Sequence, residues 1–291
     1  MRRALIPFTV AAACSSSSSP TPSPPPPTPA IADAAPAIDA PDPLAVIQAA
    51  WPDGCFTARS GGRTLTSDAT RCGLARRPYS TFKIPNALIA LDVGVLSGAD
   101  AAMTWDRKAV PDEPRYFDVW RKPHTLRSGL AVSAVPYFRT LARQIGAERM
   151  RDGLARLGYG NQDISGGLDQ FWLRGGIRIS ADQQVAFMDQ LARGEVASFA
   201  AAAQMTVRDI MKLDDRGGAI LRGKTGSGPI EDGKGGWLVW LVGWVERDST
   251  TIPFAAWMEV PSGEMDAARA ARDQRVRSTL AALGWIDQPR P

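Results

Sequence analysis

Ser80 and Lys83 stand three residues apart in the stretch Tyr79-Ser80-Thr81-Phe82-Lys83-Ile84-Pro85-Asn86. A hydroxyl beside an amine that can lose its proton is a nucleophile beside a base. After Lys83 the apolar residues Ile84, Ala87, Leu88 and Leu91 recur at helical spacing, and serine is a good capping residue. The pattern predicts a buried helix beginning at or near Ser80. On that helix Lys83 shares a face with Ser80, one turn deeper, where burial disfavours the ammonium form. Alone, Ser-x-x-Lys is a weak signal, because a capped helix bearing an ordinary lysine reads the same way. Composition sharpens it: only six of the 34 basic residues are lysine. Arginine serves wherever a generic positive charge is needed, so a lysine in this position invites a chemical reason, since only lysine can be deprotonated.

Other chemistry-bearing groups follow along the chain, each bland by itself. Ser133-Ala134-Val135 precedes Pro136, a good first-turn residue, which places Ser133 at or just before a helix start and reads as a cap. Tyr159-Gly160-Asn161 follows a helix end at Gly158 and reads as a turn. Phe171-Trp172-Leu173 is an apolar patch in a glycine-rich loop, in keeping with a plug into the core. Lys224-Thr225-Gly226 ends a short strand running from Ala219 to Gly228.

The elements that must position these groups are legible in outline. Residues 1–13 read as an export signal, with Arg2 and Arg3 before an apolar run and three alanines, too short for a stable membrane span. Two readings of its end stand: a lipoprotein signal lipidated at Cys14, or a plain secretory signal cut near Ala13. Residues 14–42, rich in Ser and Pro, form a linker that builds no core, and the domain spans 43–291. Export would keep Cys55 and Cys72 oxidised as a disulfide; two buried free thiols are the alternative. Cys55–Ala58 and Arg63–Thr66 read as a hairpin turned at Ser60-Gly61-Gly62. From Asp92 to about Asp209 the periodicity is mainly helical, clearest over Val135–Ile145 and Arg149–Leu157. The strands Gly236–Val245 and Ile252–Val260 continue an antiparallel meander, and a helix over Asp266–Leu283 closes the chain. The fold class is therefore α+β: an antiparallel sheet from both chain ends packed against helices, with an inserted all-helical region. The active site is expected in the crevice between the two parts.

Composition excludes several classes of function. The net charge is +4, and the arginines alternate with acids instead of forming a basic run, which disfavours nucleic acid. A single histidine, His124, and three cysteines disfavour zinc catalysis and any Ser-His-Asp arrangement.

Taken together and in order, Ser-x-x-Lys, Ser-x-Val, Tyr-Gly-Asn, Phe-Trp-Leu and Lys-Thr-Gly resemble the pattern of the class D serine β-lactamases. The likeness extends through Ile164-Ser165-Gly166-Gly167, Ile179-Ser180-Ala181 and Gly243-Trp244-Val245. It implies hydrolysis of β-lactam antibiotics through an acyl-enzyme on Ser80, with the oxyanion bound by the backbone N–H groups of Ser80 and Ser227. It implies that Lys83 carries a carbamate made from carbon dioxide or bicarbonate (N6-carboxylysine), in a pocket lined by Val135, Trp172 and Leu173, with no other cofactor and no metal. By the same resemblance Ser133 passes a proton to the leaving nitrogen and Lys224 sets its protonation. Thr225, Gly226, Ser227 and an arginine of the last helix then hold the substrate carboxylate. Counting back from Leu283-Gly284-Trp285 gives Arg272 for that arginine, and counting forward from Met258-Glu259-Val260 gives Arg269; Arg272 is the choice taken. Ser227 stands where the family often has a bulky residue, so access for large substrates differs. His124 is expected to be structural. A periplasmic location follows, with a membrane tether if Cys14 is lipidated. A β-lactam sensor domain and a cell-wall transpeptidase share parts of the pattern. The first is expected behind several membrane spans, and the second usually lacks the Phe-Trp-Leu loop.

Overall fold

The structure is a computed structural model, and it describes residues 42–231, 235–261 and 263–287. The expected export signal (1–13), Cys14 and nearly all of the linker lie outside the described residues.

The first helix, α1 (Pro43–Ala50), starts with Pro43 in its first turn, where a missing N–H costs nothing, and Asp42 caps it through Leu44 N–H. β1 (Cys55–Ser60) and β2 (Arg63–Thr66) form the expected hairpin, with Gly61 and Gly62 both at positive φ in the turn. α2 (Ala69–Gly73) brings Cys72 to Cys55, and the two are joined in a disulfide. A 3-10 turn (Tyr79–Phe82) then feeds directly into α3 (Lys83–Asp92), which is buried from Lys83 through Ala90. Ser80 is thus inside a 3-10 turn and is not the α-helix cap expected of it: neither segment has a side-chain cap, and the tighter turn holds Ser80 against Lys83 instead.

The next stretch departs from the expectation of a mainly helical course from Asp92 onward. Between α3 and residue 126 there are only the paired two-residue strands β3 (Ala102–Met103) and β4 (His124–Thr125) and a 3-10 turn at Asp118–Arg121. Helices resume with α4 (Leu126–Ala131), α5 (Val135–Ile145) and α6 (Ala147–Leu157), the last ended by Gly158 in the left-handed conformation. α7 (Ala181–Arg193), with a capping box at Ser180 and Gln183, and α8 (Ala201–Ile210) complete the helical insertion.

The chain returns to the sheet with β5 (Lys212–Arg216), a strand that the sequence reading lacks, turned at Gly217-Gly218 into β6 (Ala219–Pro229). β6 starts at Ala219 as expected and ends at Pro229, one residue past Gly228, so Lys-Thr-Gly lies inside the strand and not at its end. β7 (Trp237–Arg247), β8 (Thr250–Val260) and the closing helix α9 (Met265–Ala282) follow. The sheet order is β2-β1-β8-β7-β6-β5, antiparallel throughout, so both chain ends contribute as predicted. Side chains divide by strand alternation. Val239, Leu241 and Val245 pack with α1 and α9 on one face, while Trp240, Val242 and Trp244 pack with the helical insertion on the other.

Candidate active site

β5 pairs with β6 only as far as Arg222, which leaves the outer edge of β6 beyond it to be covered by the 3-10 turn. Glycine makes that approach possible. A Cβ at Gly226 would lie 2.7 Å from Pro78 O and 3.3 Å from Thr81 N, and one at Gly228 would overlap the Tyr79 ring. Tyr79 itself sits at φ 49°, with its hydroxyl donating to Pro229 O, so the turn is pinned to the strand on both sides of Ser80. Thr81, whose hydroxyl donates to Pro78 O and accepts from Gln184, locks the turn from beneath.

Within this frame Lys83 Nζ lies 2.6 Å from Ser80 Oγ. Lys83 is fully buried, and burial, with the nearby Lys224 charge second, pushes its pKa well below that of an ordinary lysine. A neutral amine at this distance can accept the hydroxyl proton. The floor of the pocket is aromatic: Phe82 stacks on Trp172 at 5.2 Å, and Phe171 meets both rings edge-on. Trp172 Nε1 is buried and has no hydrogen-bond partner among the described residues. As the second residue of its turn, Ser80 has a backbone N–H with no acceptor inside the turn, a donor left for something else.

Ser133 is not the helix cap expected of it. Ala134 holds that position, while Ser133 sits at φ 57° between α4 and α5 and faces a cavity of about 470 Å³. The indole of Trp120 donates to the carbonyl of Val132, immediately before it, and fixes this link. His124 is buried beneath, with one ring nitrogen on Val119 O and the other on Ser128 Oγ, a structural buttress as expected.

Ser80, Ser133, Val135, Leu173, Lys224, Thr225 and Ser227 all line the cavity. Lys224 is buried, and desolvation, followed by the charges of Arg272 and Arg269, lowers its pKa to about 7. Arg272 is buried, donates to Ser227 Oγ at 3.3 Å and pairs with Asp273, whereas Arg269 pairs with Asp266 and lines the cavity.

Residues 72–281 match the family model described as the penicillin binding protein transpeptidase domain. The chain is 37% identical to β-lactamase OXA-10 of Pseudomonas aeruginosa over 219 residues, 75% of this chain and 80% of that protein. It is 39% identical to β-lactamase OXA-48 of Klebsiella pneumoniae over 212 residues, 73% of this chain and 77% of that one. FUS-1, a class D β-lactamase of Fusobacterium nucleatum subsp. polymorphum, superposes with a TM-score of 0.76 at 29% identity, over 83% of this chain and 98% of its own. The chain belongs to the class D β-lactamase family.

Sequence reading missed part of this class D β-lactamase's site. Tyr79 carries no signal beyond its place before Ser80. Arg139 does: it falls among the apolar positions of α5, only 4% exposed, where an unpaired charge would be costly. It is paired with Asp169 (3.0 Å), Glu113 (2.6 Å) and the Tyr116 hydroxyl (2.7 Å). These contacts tie the loop that carries Phe171 and Trp172 to the segment that roofs the cavity.

Proposed function

We propose that the chain hydrolyses β-lactam antibiotics through a serine acyl-enzyme, with Ser80 as nucleophile and Lys83 as general base in its N6-carboxylated form. The observation that carries this reading is the 2.6 Å contact between Lys83 Nζ and Ser80 Oγ on the floor of the cavity. The Ser80 oxygen attacks the lactam carbonyl as the Lys83 side chain takes its proton. The carbon–nitrogen bond breaks as Ser133 delivers a proton to the leaving nitrogen and receives in return the proton taken from Ser80. Water, deprotonated by the Lys83 side chain, then attacks the ester carbonyl, and Ser80 leaves with that proton. Backbone N–H groups of Ser80 and Ser227 bind the oxyanion, each worth about 3 kcal/mol in comparable sites. Lys224 and Thr225 hold the substrate carboxylate from the cavity lining. Of the two arginines, Arg269 lines the cavity and is placed to touch that carboxylate, whereas Arg272, 3% exposed, lies behind Ser227 and acts through its hydroxyl and on the Lys224 charge.

The residues present fit a carboxylated lysine. Its anion needs donors in an apolar pocket, and the unpartnered Trp172 N–H and the Ser80 hydroxyl are the candidates, with Val135, Leu173 and Phe82 as walls. Carbon dioxide, once added to the neutral amine, supplies a carboxylate-type base. Export to the periplasm, with a tether at Cys14 if that residue is lipidated, belongs to the same reading.

Intact-mass spectrometry with a penicillin tests the nucleophile: the wild-type chain gains one acyl mass and Ser80→Ala gains none. A chromogenic cephalosporin tests turnover. Steady hydrolysis supports the hydrolase, and a single stoichiometric burst would mark a sensor whose acyl-enzyme persists.

A further inference from the structure

Among the described residues four cationic side chains line the cavity (Arg115, Arg174, Lys224 and Arg269), and no acidic one does. Lys224 and Arg269 belong to the β6–α9 wall, beside the site assigned to the carboxylate common to penicillins and cephalosporins. Arg115 and Arg174 stand apart from them, on the roof segment and on the loop after Trp172, and the catalytic reading gives them no task.

They are held together by design of the local network. Glu113 Oε2 accepts from Arg115 at 2.5 Å and from Arg174 at 3.3 Å, so the two guanidiniums converge on one oxygen. The other oxygen of Glu113 is held at 2.6 Å by buried Arg139, which is anchored in turn by Asp169, itself 4% exposed. Asp169 also accepts from Arg143. Among the described residues two carboxylates therefore serve four guanidiniums, and of the four Arg115 and Arg174 line the cavity. Of the other acids between residues 106 and 121, Asp112 and Asp118 are engaged by Arg107 and Arg121, and Asp106 accepts from the backbone N–H groups of Lys108 and Ala109. Arg115 and Arg174 keep 55% and 52% of their side-chain surface exposed, leaving N–H groups for a ligand. Buried Arg139 thus pre-positions Glu113, and Glu113 pre-positions a pair of arginine forks suited to a carboxylate.

We propose that Arg115 and Arg174 form a second anion subsite, which selects β-lactams carrying an additional carboxylate on the acyl side chain. This rests on the β-lactamase reading of the cavity. Removing both partly exposed charges is expected to cost about tenfold in selectivity, equivalent to about 1.4 kcal/mol.

The test uses two penicillins that differ by one group: benzylpenicillin and carbenicillin, which bears an added carboxylate on the side chain. The ratio of kcat/KM for carbenicillin to that for benzylpenicillin is measured at low and high ionic strength in the wild-type chain, in the double variant Arg115→Gln/Arg174→Gln and in Arg174→Glu. Expected are a ratio that falls with added salt in the wild type, a fall of about tenfold in the double variant at low salt, and a larger fall in Arg174→Glu. Both positions are more than half exposed, and an unchanged melting temperature verifies folding. A ratio indifferent to both the substitutions and salt overturns the subsite and leaves the hydrolase standing. Failure of the wild-type chain to turn over either penicillin overturns the hydrolase reading and the subsite with it.

Discussion

Lys83 and Lys224 are both buried, and their surroundings put them to different uses. For Lys83 desolvation dominates, and the neutral amine is the form that, in the proposed mechanism, combines with carbon dioxide to give the base for Ser80. In that mechanism the unpartnered Trp172 N–H is the donor available to the resulting anion. Trp172→Ala should therefore need more bicarbonate for half-maximal activity in degassed buffer at mildly acidic pH. It should also accumulate acyl-enzyme, since deacylation depends wholly on a base that activates water. Stopped-flow traces showing a burst and slow turnover would check this; indifference to bicarbonate in both proteins would leave Lys83 acting as a free amine. Lys224, lowered to about 7, is protonated below neutrality and loses its charge as the pH rises through that value. An anionic substrate needs the charged form, so kcat/KM should fall on the alkaline side of about pH 7. In the complex the substrate carboxylate raises the lysine pKa, and the limb in kcat should lie at higher pH. Lys224→Gln should lower kcat/KM at pH 6 and flatten that limb.

At the level of elements, the site depends on how closely a 3-10 turn lies against a strand edge. β5 ends its pairing at Arg222, and Gly226 and Gly228 leave the space that Pro78, Thr81 and the Tyr79 ring occupy. Gly226→Ala would place a methyl 2.7 Å from Pro78 O, against backbone that cannot give way cheaply. The expected result is a folded protein destabilised by about 1–3 kcal/mol. Its acylation rate should fall on the order of 100-fold, because the nucleophile is displaced relative to Lys83 and to the strand. Circular dichroism and single-turnover acylation separate the two effects: an unchanged acylation rate would mean that the turn is positioned by something other than this contact.

Across the whole molecule, β1 reaches β8 from the far end of the chain, and the Cys55–Cys72 disulfide, with a separation of 17 residues, ties that strand to α2 on the approach to Ser80. A loop of this length is worth about 3 kcal/mol through the unfolded state. For a domain of roughly 250 residues the double variant Cys55→Ser/Cys72→Ser should melt about 6–12 °C lower than the oxidised protein. Thermal melts with and without reductant provide the check, since only the wild type should respond to reduction.

Most of the fold and the candidate reactive groups could be read from residue order. Helical spacing marked α3, α5 and α6, and the glycine pair marked the first hairpin. Weak motifs in one order singled out Ser80, Lys83, Ser133, Trp172 and Lys224. These are local signals, carried by propensity, periodicity and turn chemistry within a few residues. What the tertiary structure alone decided are contacts between distant segments. Ser80 lies in a 3-10 turn because β6 receives it, and Ser133 takes a left-handed conformation because the link between α4 and α5 turns toward the cavity. β5 escaped notice because Lys-Leu-Asp-Asp-Arg lacks strand alternation and pairs only as an exposed edge. Arg139, Glu113 and Asp169 are separated by 26 and 30 residues, and although the place of Arg139 among the apolar positions of α5 marks its burial, no local pattern names the two carboxylates it lies between. That pairing follows from the cost of leaving a charge alone in the core, a cost that exists only once the core has closed.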